Sequence, residues 1–163
     1  MFDEQVLISA RRLLDLCRAR GLRIVTAESC TGGLVAGALT EIAGSSDVVD
    51  RAFVTYSNEA KAEMLGVPKD LIVRHGAVSE EVARAMAEGA LAQSIADLSV
   101  AVTGVAGPGG GSAEKPVGLV HFAAAAKGRA SLHEVRRFGD IGRSEIRRQS
   151  VLLALTLLEK AAT

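Results

Sequence analysis

The chain has no tryptophan, one tyrosine and four phenylalanines, so aromatic residues make up only 3% of it. A core for 163 residues must then be built from Ala, Val, Leu and Ile. Basic stripes interleaved with aromatics, the footprint of nucleic-acid binders, are also missing. Lys plus Arg equals Asp plus Glu, at 19 each, so no basic field exists to attract a phosphate backbone, and nucleic acid is not an expected partner. No apolar run approaches the roughly 18 residues of a spanning helix. The opening "MFDEQVLISARRLL" mixes charge with apolar positions, unlike a signal peptide. A cytoplasmic protein without a membrane partner is expected. Cysteine is scarce too: Cys17 and Cys30 have no spacing typical of a metal site or a disulfide framework. Cys17 continues the stripe Val6, Ala10, Leu13 and Leu14 and reads as a core residue. His75, His121 and His133 are scattered with no local ligand pair, so no metal is expected.

What is present reads as a single domain over 1–163. Residues 3 to 19 form an amphipathic pattern ended by Gly21. "LRIVTAES" reads as a buried strand and "TGGLVAGALTEIAG" as a small-residue helix closed by Gly44. "RAFVTYS" is a second strand, and "NEAKAEMLG" a short helix with Asn58 as its cap. "VPKDLIVRHGAV" reads as a connection. Ser79 opens a helix running to about Ala96, and "LSVAVTGVAG" is a third buried strand. "GPGGGSAEKP" is a loop. "VGLVHFAAAAK" and "ASLHEVRRF" read as a hairpin turning at Gly128. From about Arg143 runs a last helix whose second half is apolar nearly all round, to be buried in the domain or against a partner subunit. Alternating strands and helices imply parallel strands with crossovers, and the last two strands should run antiparallel to their neighbours. The expected fold is α/β, a mixed sheet with helices on both faces.

In such sheets ligands bind beyond the carboxyl ends of the parallel strands. The three ends here carry Glu28, Ser29 and Cys30; Tyr56, Ser57 and Asn58; and Thr103, Gly104 and "AGPGGG". Ser29 has two readings. It, or Thr31, caps the following helix; or it is a nucleophile, with the backbone N–H groups of Thr31, Gly32 and Gly33 holding an oxyanion. Lys61 also has two. It snorkels to solvent, or, in the first turn of a helix whose dipole opposes a cation, it is a neutral base for Ser29. Tyr56 could hydrogen-bond in the same site. The loop around Gly107 matches neither familiar phosphate fingerprint, yet its glycines allow consecutive backbone donors to face an anion. Arg143 and Arg147, one turn apart, add charge for a phosphate. Arg148 reads as solvated.

Together, "TAESCTGGLVAGALTEIAGSS", "AFVTYSNEAKAEMLGV", "HGAVSEEVARAMAEGA" and "VAVTGVAGPGGGSAEKPVGLVHFA" closely resemble the CinA C-terminal domain family over roughly residues 5 to 160. The resemblance implies a three-layer α/β/α sandwich with a mixed, mainly parallel sheet, usually dimeric. It also implies an amidohydrolase that converts nicotinamide mononucleotide (NMN) to nicotinic acid mononucleotide and ammonia, without a cofactor. Carried over, Ser29 is the nucleophile and Lys61 its base, with Tyr56 beside the pair. Thr103 and Gly104 line the site and Arg143 stands at the phosphate side. A non-catalytic pyridine-nucleotide-binding module and a hydrolase of another small amide are the competing readings.

Overall fold

A computed structural model describes residues 1–163. Helix α1 (Glu4–Arg20) starts where the Asp3 side chain accepts from Val6 N–H at 2.9 Å, and it ends at Gly21 with φ 65°. Its buried stripe is Val6, Ala10, Leu13, Leu14 and Cys17, as the periodicity predicts. Strand β1 (Ile24–Glu28) is buried at every position.

The next helix departs from the sequence reading. α2 spans only Leu34–Thr40, because Gly32 (φ 57°) and Gly33 (φ 98°) hold a left-handed turn that residues with a Cβ rarely adopt. A 3-10 turn (Ser45–Asp47) leads to β2 (Val49–Val54) and α3 (Asn58–Leu65). The cap of α3 is Ser57, not Asn58: its side chain accepts from Ala60 N–H at 3.0 Å. The stretch expected to be a plain connection contains α4 (Lys69–His75). Seven residues are too few to show a helical period, although Asp70 in its first turn and Arg74 in its last suit the dipole. Ser79 caps α5 (Glu80–Ala92), which stops short of Ala96. Then come β3 (Leu98–Gly104), the hairpin β4 (Leu119–Ala126) and β5 (Leu132–Arg137), and α6 (Arg143–Ala162).

The five strands lie in the order β2-β1-β3-β4-β5. β1 pairs in parallel with β2 and β3, whereas β4 runs antiparallel to β3 and β5 antiparallel to β4. Helices cover both faces, which makes the α/β/α sandwich. α1, α2 and α6 close over Ile24, Val100, Val102, Val120 and Phe122 on one face. α3, α4 and α5 cover Val25, Ala27, Ala101, Ala123 and Ala125 on the other. The shortage of aromatics has its counterpart here: Ala83, Ala87 and Ala90 of α5 face Ala101, Ala123 and Ala125 of the sheet. Ser99 Oγ even reaches Ala87 O, at 2.6 Å. The apolar second half of α6 is covered within the domain, with Val151, Leu155, Leu157 and Leu158 all at 1% exposure or less. No helix is long and apolar enough to cross a membrane.

Candidate active site

Strand alternation separates two polar neighbours at the end of β1. Successive side chains point to opposite faces, so Thr26 and Glu28 turn toward α2 while Ala27 and Ser29 turn toward α3. Glu28 is fully buried. Its two oxygens accept from Val35 N–H at 2.9 Å and Ala36 N–H at 3.0 Å, and Thr26 Oγ1 donates to it at 3.2 Å. The start of α2 is therefore held by a carboxylate seven residues upstream. Neither Ser29 nor Thr31 caps it, and the Thr31 hydroxyl is buried without a hydrogen-bond partner.

Ser29 is left for something else. Its N–H continues the β1–β3 ladder to Val102 O at 2.9 Å, and its Oγ lies 3.1 Å from Lys61 Nζ. Lys61 does not snorkel; it is 1% exposed, among the largest fully buried side chains of the protein. Its Nζ also lies 3.0 Å from Thr55 O and 3.3 Å from Tyr56 O, with Ser57 O at 3.5 Å. Burial pushes its pKa below the ordinary 10.5; the nearby Cys30 and Glu59 oppose this only in part. Lys61 N–H already donates to Ser57 O at 3.2 Å, so the lysine stands one residue deeper in α3 than a cap at Asn58 implies. Desolvation, more than the helix dipole, is what disfavours its charge. As an ammonium, Nζ donates to Ser29 Oγ and to the carbonyls of Thr55 and Tyr56; once neutral it keeps two N–H groups for the carbonyls and has one lone pair for the Ser29 hydroxyl.

The pair opens into a cleft of about 290 Å³ walled by Thr103, Gly104, the loop from Val105 to Gly110 and Arg143. Thr103 Oγ1 donates to Ala77 O at 2.9 Å, tying the third strand end to the α4–α5 connection. At Gly104 a Cβ would stand 2.8 Å from Leu119 O and 2.7 Å from Val120 Cγ2, so glycine there is a condition of β3–β4 packing. Arg143 spans the mouth: Nη1 donates to Gly107 O at 2.7 Å and Nη2 to the Tyr56 hydroxyl at 3.2 Å. The Tyr56 side chain is itself exposed; its carbonyl, not its ring, is what meets Lys61.

Thr31, Gly32, Gly33 and Arg147 do not border the cleft. Arg147 donates instead to Cys30 O at 3.1 Å and Thr31 O at 3.2 Å, and Arg148 pairs with Asp3 and Glu145. Cys30 borders the cleft, but burial pushes its thiol up to about 12, which denies it a thiolate at neutral pH. The sequence placed Glu28 and Asn58 at the strand ends without giving either a role in the site, and it did not indicate the Ala77–Val78 wall. A carboxylate closing a buried strand just before a helix was the available signal for the first. It also missed that His121 Nδ1 and His133 Nε2 meet across β4 and β5 at 3.0 Å. No group of three or more His, Cys, Asp or Glu is placed to hold a metal ion.

Residues 8–162 match the model of the CinA C-terminal domain. The chain is 48% identical, over 97% of its length and 95% of the relative's, to the nicotinamide-nucleotide amidohydrolase PncC of Escherichia coli. It is 47% identical over 91% of its length to a putative competence-damage inducible protein of Caldicellulosiruptor bescii, of which it spans only 36%. Among solved structures, the competence/damage inducible protein CihA from Agrobacterium tumefaciens superposes with a TM-score of 0.98 at 56% identity, covering 100% of this chain and 99% of that one.

Proposed function

This chain belongs to the CinA C-terminal domain family, and from that premise we propose that it is a nicotinamide-nucleotide amidohydrolase acting on NMN through Ser29 and Lys61. The observation that carries the reading is the buried contact between Lys61 Nζ and Ser29 Oγ, 3.1 Å long, at the closed end of a cleft whose mouth holds an arginine. The near full-length likeness to a relative named for this activity supports the substrate class.

In this reading neutral Lys61 takes the Ser29 proton as Oγ attacks the carboxamide carbon. The Cys30 N–H, which donates to no backbone carbonyl and belongs to a residue bordering the cleft, receives the oxyanion. The C–N bond breaks, Lys61 returns the proton to the leaving nitrogen, and ammonia departs. Water, deprotonated by Lys61, then frees nicotinic acid mononucleotide from the acyl-serine. The pyridinium ring withdraws electrons from the amide and lowers the barrier before the protein contributes anything. Arg143 and the backbone donors of the Gly107–Gly110 loop take the phosphate. No step requires a metal or cofactor. A homodimer in the cytoplasm is also proposed, and the mass of the protein in solution checks the assembly.

Ammonia release from the purified protein, with NMN, nicotinamide riboside, free nicotinamide and unrelated small amides as substrates, tests the reading. Turnover of NMN above the others is expected. Binding of NMN without ammonia would replace the enzyme with a nucleotide-binding module, and preference for another amide would replace the substrate.

A further inference from the structure

Arg147 has no carboxylate partner, although Arg148 beside it pairs with both Asp3 and Glu145. Its guanidinium is half-buried and spends its hydrogen bonds on two main-chain carbonyls, Cys30 O at 3.1 Å and Thr31 O at 3.2 Å. These are the peptide groups immediately after Ser29. A peptide unit is planar with its C=O and N–H pointing in opposite directions. Gripping Cys30 O therefore aims Thr31 N–H directly away from Arg147. Within this turn Cys30 borders the cleft, whereas Thr31 and Arg147 do not.

The second bond acts one step further along. Holding Thr31 O fixes the next peptide, whose Gly32 N–H donates to Ser29 O at 3.0 Å. That bond in turn orients the Ser29–Cys30 peptide and its Cys30 N–H. Thus one guanidinium, acting through Thr31 O, sets the Cys30 N–H, which has no carbonyl acceptor and belongs to a residue bordering the cleft. A cation on the carbonyl side of a peptide also polarises it and makes the N–H a stronger donor. From this geometry we infer that Arg147 is a positioning residue: through Thr31 O and the Gly32–Ser29 bond it fixes and polarises the Cys30 N–H that receives the oxyanion formed at Ser29. The inference rests on the Ser29 nucleophile proposed above and reassigns Arg147 away from substrate phosphate.

Arg147→Ala and Arg147→Lys are compared with the unmutated protein for kcat and KM on NMN, and for the rate at which a fluorophosphonate labels Ser29. In that reaction the serine oxygen bonds to phosphorus, fluoride leaves, the serine proton passes to Lys61, and the phosphoryl oxygen occupies the same position as the oxyanion. Because removing one oxyanion donor outright costs about 10²–10³ in kcat, misaiming it should lower kcat and the labelling rate of Arg147→Ala by roughly ten- to a hundredfold. KM should stay within about threefold. Arg147→Lys, able to reach one carbonyl, should fall between. Millimolar guanidinium should restore part of the Arg147→Ala rate, a recovery that a merely destabilised fold would not show. A raised KM with unchanged kcat would return Arg147 to the phosphate; labelling as fast as in the unmutated protein overturns the inference. If the unmutated protein is labelled at Ser29 but releases no ammonia from NMN, the substrate reading fails while the labelling comparison still decides the role of Arg147. If it is not labelled at all, both fall.

Discussion

Lys61 Nζ and Ser29 Oγ, delivered by a helix and a strand 32 residues apart, meet at 3.1 Å with both side chains out of solvent. The base must be neutral to accept the serine proton, and burial lowers the lysine pKa from 10.5. Activity should therefore rise with pH and level off above a value displaced below that of a free lysine. Lys61→Arg should be nearly inactive, because guanidinium stays protonated. A flat rate from pH 6 to 9 would remove Lys61 from the role.

The same shift bears on stability. The unfolded chain binds the Lys61 proton more tightly than the folded one, so stability should rise with pH between the depressed folded pKa and 10.5. Lys61→Met should be inactive, melt at a higher temperature and lose that dependence. Melting curves from pH 7 to 10 for both proteins check the sign.

Ser29→Ala should abolish ammonia release while leaving NMN binding within a few-fold. Cys30→Ala should remain active, since a thiol pushed up to about 12 supplies almost no thiolate. Mass spectrometry after iodoacetamide at pH 8 should find Cys30 unmodified in the folded protein. Inverted activities of the two variants would exchange their roles.

Arg143→Ala should raise KM for NMN by the loss of a charge-assisted bond, about 1.5–3 kcal/mol. Nicotinamide riboside should be a poor substrate for the unmutated enzyme. Tyr56→Phe, which removes only the hydroxyl partner of Arg143, should raise KM less. Equal turnover of nucleotide and nucleoside would take the phosphate away from Arg143.

Glu28→Ala removes a buried acceptor from two helix N–H groups, a loss of about 2–4 kcal/mol. For a chain of this length the melting temperature should fall on the order of 10 °C. Urea denaturation followed by circular dichroism measures it; an unchanged midpoint would mean that water replaces the carboxylate.

The sequence carried the layers well and the site unevenly. α1 was readable from a stripe at helical spacing ended by Gly21, and β1 from an unbroken apolar run. Ser29 and Lys61 stood out because a strand end and a helix start are where such side chains do chemistry, and the family resemblance pointed to the same two. What escaped depended on direction rather than spacing. α4 is two turns long and leaves no periodic trace. Glu28 binds a helix across a turn, so its part follows only from strand parity. His121 and His133 meet through the β4–β5 register, which pairs Ala123 with His133 and places His121 diagonally from it. Arg143 and Arg147 look equivalent one turn apart, yet only Arg143 reaches the cleft wall.

Strand β2 hydrogen-bonds to the sheet along one side only and is partly exposed along its whole length. Its end, fixed by Thr55 N–H to Glu28 O at 2.9 Å, carries two of the carbonyls that hold the Lys61 amine. Peripheral strands open at lower free energy than central ones. Fraying of β2 and α3 would draw the lysine from the serine while β1, β3 and β4 stayed paired. Heat should then inactivate the protein reversibly a few degrees below its melting midpoint, with β2 amides exchanging hydrogen well before those of β1.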